Sequence, residues 1–142
     1  MLESARPVRL HHLAIGTRDV ARLSEFYRDV FALEERARHL EPSGALRSVW
    51  LDAAGCLLMI ERTDESPRQV SGVGAGLFLI AFTVSPEERT SLEAKLTREG
   101  CTIEHRSPYT SYTRDIDGNR IAISHYPSER IAQAERLETA GS

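Results

Sequence analysis

Alternating apolar and polar positions, interrupted twice by stripes of longer period, predict the order strand, helix, three strands, used twice along the chain. In residues 8–16 (VRLHHLAIG), Leu10, His12 and Ala14 share one face of a predicted strand, and His11, Leu13 and Ile15 share the other. Thr17-Arg18-Asp19 ends the run, with Asp19 placed to cap a helix. Leu23, Phe26, Tyr27 and Val30 then recur at the spacing of a buried helical stripe, to about Phe31. The polar stretch 34–41 can hold a short strand, 42–44 (PSG) is a turn, and 45–51 and 56–62 are strands around an Asp52–Gly55 turn.

The second round begins after residues 63–76 (TDESPRQVSGVGAG), whose composition is that of a linker. Its three glycines, Gly72, Gly74 and Gly76, fit no nucleotide fingerprint and read as a hinge. Residues 77–84 (LFLIAFTV) form the most apolar run, which predicts a strand covered on both faces. Ser85-Pro86-Glu87-Glu88 predicts a helix start, with Ser85 as cap, Pro86 in the first helical position and Glu88 completing a capping box. Leu92 and Leu96 are its inner face and Gly100 its stop. Residues 101–106 read as a strand, and residues 109–126 as two strands joined by a turn at Asp115-Ile-Asp-Gly-Asn119. In the last strand Arg120, Ala122 and Ser124 share one face, opposite Ile121 and Ile123. In the polar tail from Pro127, Ile131, Ala134 and Leu137 suggest a short helix.

The two rounds match in detail. LHHLAIGT and LFLIAFTV align with Ala14 and Ala81 in register, and both rounds contain an Asp-x-x-Gly turn (Asp52–Gly55, Asp115–Gly118). An internal repeat of this length implies two similar units, each with a helix on one sheet face and a second face that must meet something else.

HHLAIGTRDVARLSEFYRDVFAL, with His12, Asp19 and Phe26-Tyr27, resembles the opening of the vicinal oxygen chelate superfamily, which includes glyoxalases, bleomycin and fosfomycin resistance proteins and extradiol dioxygenases. Phe31-Ala32 stands where that opening has Leu-Gly, and RDIDGNRI (114–121) resembles the closing signature with Ile116 in place of Pro. The resemblance covers residues 8–126. It implies an α+β fold of two βαβββ modules forming an open cupped barrel, one domain over 1–142, with module one at about 8–62 and module two at about 77–126.

Composition narrows the partners. With 142 residues and a net charge of −3, the chain offers no electrostatic case for nucleic acid or an anionic membrane. No stretch suits a membrane span or a secretory signal, so a cytoplasmic location is expected. Cys56 and Cys101 lie apart from any Cys/His cluster and read as reduced, half-buried residues. The resemblance implies a small-molecule ligand and a homodimer.

The resemblance also implies a divalent metal (Zn, Ni, Mn or Fe) in the cup, held by the first and last strands of each module. Tested position by position, His12 matches, and Met59 or Glu61 stands at the second place. The second module supplies Leu79 and Ala122, which have no donor atoms. His12 and Glu61 thus make an incomplete metal site, and the expectation is that no metal is held. They are instead candidates for an acid–base pair if within hydrogen-bond reach. Trp50, Met59, Leu79, Tyr112, Arg120, Ala122 and Ser124 are the expected substrate-binding residues, with Arg120 suited to a carboxylate or phosphate. The reading is a pocketed superfamily member, either a binder or a metal-independent enzyme using His12 and Glu61. The alternative is a metal-dependent lyase, isomerase or dioxygenase of the glyoxalase type.

Overall fold

A computed structural model describes residues 6–127. It divides into two compact units at Pro67/Arg68. The first contains β1 (His12–Thr17), α1 (Val20–Phe31), β2 (Glu34–Leu40), β3 (Leu46–Asp52) and β4 (Leu57–Arg62). The second contains β5 (Ile80–Thr83), α2 (Pro86–Arg98), β6 (His105–Arg106), β7 (Thr110–Arg114) and β8 (Arg120–Ser124). Each unit is a βαβββ module, and the fold is α+β. Each sheet is open and four-stranded, in the orders β1-β4-β3-β2 and β5-β8-β7-β6. In both, the first strand pairs parallel with the last, and the remaining pairs are antiparallel.

Local chemistry sets the helix ends. The Asp19 carboxylate accepts the Arg22 N–H at 3.0 Å, satisfying a donor that the first turn of α1 leaves free. The predicted capping box of α2 is present, with Ser85 Oγ accepting from Glu88 N at 3.1 Å and Glu88 Oε1 from Ser85 N at 3.3 Å. The chain leaves α1 through Ala32 at φ 55°, a left-handed residue. Both Asp-x-x-Gly turns end on glycines of positive φ, 100° at Gly55 and 91° at Gly118.

Burial follows the predicted stripes. Val20, Leu23, Phe26, Tyr27 and Val30 of α1 are buried, as are Val49, Leu51, Leu58 and Ile60 of the strands it packs on. In the second unit Leu92 and Leu96 of α2, and Ile121 and Ile123 of β8, are buried. Arg89 ties α2 to the chain entering β7. Its guanidinium donates to Ser111 Oγ (2.8 Å) and to the carbonyls of Pro108 (3.0 Å), Ser107 (2.9 Å) and Thr110 (3.1 Å).

Four expectations change. β1 starts at His12 rather than Val8, because Val8 and Leu10 have no strand beside them and are exposed. β5 is four residues long, and Ala81 and Thr83 are exposed, so the most apolar run is not covered on both faces. Its ladder runs only from Ile80 opposite Ile121 to Thr83 opposite Ser124, the last residue of β8. Residues 101–104 are not strand. Cys101 N donates to Leu96 O at the end of α2 and Thr102 O accepts from the Thr113 hydroxyl, and only Glu104 N reaches β7, at Tyr112 O (2.8 Å). His11, read as a strand residue on the face of Leu13 and Ile15, precedes β1, is exposed and packs edge-on against His12. The tail positions Ile131, Ala134 and Leu137 lie outside the described residues.

Candidate functional site

Each module offers one sheet face that its helix does not cover, and the strand register arranges side chains on it in rows. In the first module Ser48 stands opposite both His39 and Glu61, and Glu61 opposite Gly16. The next row is Ala37, Trp50, Met59 and Ala14, and the one after holds Asp52, Leu57 and His12. The first two rows are knitted by polar contacts. Trp50 Nε1 donates to Glu61 Oε1 at 3.3 Å, His39 Nδ1 lies 2.9 Å from Ser48 Oγ, and the His39 and Trp50 rings are 4.6 Å apart.

The register does not bring His12 and Glu61 together. His12 faces Leu57, and Glu61 is four residues further along β4. At about 3.3 Å per residue that is an offset of roughly 13 Å, far beyond a hydrogen bond. The nearest polar partner of His12 is His11, ring nitrogen to ring nitrogen at 2.8 Å. Glu61 is partnered by Trp50 instead.

In the second module Ala122 lies between Ala81 and Tyr112 and is fully buried. Arg120 stands opposite Arg114. Leu79 immediately precedes β5 and is half-buried. The Ser124 hydroxyl is occupied, 2.7 Å from Thr110 Oγ1 and accepting from Tyr126 N at 3.2 Å. Tyr112 packs against His105, with ring centroids 5.6 Å apart. Arg120 lies over the Phe78 ring, Cζ 4.7 Å from its centroid, with Nη1 3.5 Å from Glu104 Oε2. Arg114 holds the other oxygen of Glu104 at 2.8 Å and donates to Gly118 O and Val70 O.

Sequence reasoning overlooked five members of these clusters: His39, Ser48, Phe78, Glu104 and Arg114. Alternation within 34–40 puts His39 on one face with Glu35 and Ala37, but only the pairing of β2 with β3 brings it to Trp50. Phe78 and Glu104 fell within predicted strands, but strand period says nothing of the fold that sets both beside Arg120.

Charges at the rim of the first sheet are paired. Hydrogen bonds from Arg36 hold the Asp52 carboxyl below its ordinary range, and Arg38 does the same for Glu35. Both arginines are about half exposed, so these pairs add little stability.

Among the described residues, no three His, Cys, Asp or Glu side chains gather where an ion could be held. Leu79 and Ala122 offer hydrocarbon where the resemblance calls for ligands, and a guanidinium two residues from Ala122 on the same face repels a second cation.

A model of the glyoxalase/bleomycin resistance protein/dioxygenase superfamily matches residues 9–123, and the chain belongs to that superfamily. Among solved structures, it is similar to a mutant of the fosfomycin resistance protein FosX from Listeria monocytogenes, complexed with Mn(II) and 1S,2S-dihydroxypropylphosphonic acid. The TM-score is 0.72 at 18% identity, covering 89% of this chain and 99% of that one. It is also similar to TioX from Micromonospora sp. ML1 (TM-score 0.62, 19% identity, 84% and 99% covered). A third is the lactoylglutathione lyase of Agrobacterium tumefaciens (TM-score 0.59, 25% identity, 84% and 95% covered). No curated protein matches the sequence. Among the described residues, no helix is long and apolar enough to cross a membrane.

Proposed function

We propose that this protein binds a small molecule on the uncovered faces of its modules without a complete metal centre, as a binder or a metal-independent enzyme, and that it works as a homodimer. What supports the reading is the second module, where Leu79 and Ala122, the residues that the resemblance sets at ligand positions, have no donor atoms and Arg120 contributes a cation. Trp50 and Met59, side by side on the first module's face, supply an aromatic and polarizable floor, and Glu61 and His39 supply polar fixtures beside it. In a metal-independent reaction His12 and Glu61 serve as separate acid–base groups, since the register keeps them apart.

A second reading, a metal-dependent lyase, isomerase or dioxygenase of the glyoxalase type, is favoured by the likeness to FosX, whose structure holds Mn(II). There His12 or Glu61, which the register keeps too far apart to share one ion, supplies the first module's ligand. Metal analysis of the purified full chain, after incubation with Zn, Ni, Mn and Fe(II) and desalting, separates the two. The proposal expects well under one equivalent of any of them. One tightly held equivalent, lost in His12→Ala, overturns it in favour of the second reading.

A further inference from the structure

We propose that Arg120 is the receptor for an oxyanion, the carboxylate or phosphate group of the ligand, on the uncovered face of the second module. This rests on the small-molecule reading above and names the chemistry of the ligand it would take.

The Arg120 side chain is only 13% exposed. A guanidinium stays charged at any physiological pH, so a largely buried one needs acceptors. Arg120 has a poor share of them. Glu104 Oε2 lies 3.5 Å from Nη1, longer than the 2.7–2.9 Å of a strong charge-assisted bond. The other oxygen of Glu104 is held by Arg114 at 2.8 Å. One carboxylate therefore serves two guanidiniums, and the cluster keeps a net positive charge.

Arg120 Nε is also buried with no hydrogen-bond partner. A buried donor left unsatisfied is costly, and a native fold rarely tolerates one without a use. Nε and Nη2 form the side edge of the guanidinium, the fork that takes a carboxylate or phosphate through two parallel bonds. Glu104 is on Nη1, so it does not fill that fork. Phe78 covers the flat face of the cation and leaves recognition to the edges. Phe78 lies outside β5, at the end of an exposed stretch covering 71–77, so the ladder does not hold its ring over the cation.

The side-chain Nε–H of arginine is observable by ¹H–¹⁵N NMR, and loss of one resonance in Arg120→Lys assigns it. The full chain is titrated with sodium phosphate and with sodium acetate, using sodium chloride at matched ionic strength as control. The expected result is a saturable shift of the Arg120 Nε–H with phosphate, acetate or both, absent with chloride. Saturation by phosphate alone points to a phosphate-bearing ligand, and by acetate alone to a carboxylate. Lysine keeps the charge but not the fork, so Arg120→Lys weakens binding about tenfold. Glu104→Gln, which removes the competing carboxylate, tightens it severalfold. A shift that chloride reproduces, or binding unchanged in Arg120→Lys, overturns the proposal. If Arg120→Lys does not fold, an affinity unmoved by Glu104→Gln overturns it. Bound metal is measured separately, so a failure of the metal-free reading is distinguishable from a failure here.

Discussion

Replacing Ala32 by glycine should make this protein more stable. Ala32 follows α1 at φ 55° and ψ 35°, the left-handed conformation in which a Cβ crowds the neighbouring carbonyl. That crowding costs a non-glycine residue about 1–2 kcal/mol, and glycine escapes it. Against this, glycine makes the unfolded chain freer, a penalty of about 0.4–1 kcal/mol. Ala32 is exposed, so its methyl group contributes almost no packing to lose. The balance is a gain of about 0.5–1 kcal/mol, or about 2–5 °C in Tm for a chain of this size. Urea denaturation of the wild type and Ala32→Gly, fitted with a common m-value, measures it. Ala94→Gly is the internal control. Ala94 is exposed within α2, where the same exchange should cost about 0.5–1 kcal/mol. Equal or lower stability in Ala32→Gly, with Ala94→Gly behaving as stated, would refute the reasoning.

Two other outcomes test the packing of the second unit. Arg89→Ala strips donors from three backbone carbonyls and Ser111, and should cost about 2–3 kcal/mol in urea denaturation, with Arg89→Lys recovering less than half because an ammonium cannot reach all four acceptors. Burial pushes the Cys101 thiol up to about 11, so the folded state keeps a proton that the unfolded state loses in the ordinary thiol range. That contribution is complete at neutral pH and falls as pH rises toward 11; comparing urea midpoints at pH 8 and 10 should show a steeper drop in wild type than in Cys101→Ala.

Much was settled by local chemistry. Asp19 and the Ser85–Glu88 box start their helices wherever the rest of the chain goes, because a cap acts within one turn. The stripe from Leu23 to Val30 and the alternation of Arg120, Ala122 and Ser124 assign faces by period alone, and the doubled pattern implied the doubled module. Leu79 and Ala122 ruled themselves out as ligands by having no donor atoms. Neighbours across strands are another matter, because register depends on turns and partners far along the chain. It was the pairing of β1 with β4 that separated His12 from Glu61, and the pairing of β2 with β3 that set His39 against Trp50. The eight apolar residues that suggested a longer β5 did not decide its length, because only Ile80–Thr83 pair with β8. The unfilled edge of Arg120 could emerge only once Phe78, Glu104 and Arg114, separated in the sequence, had been folded around one charge.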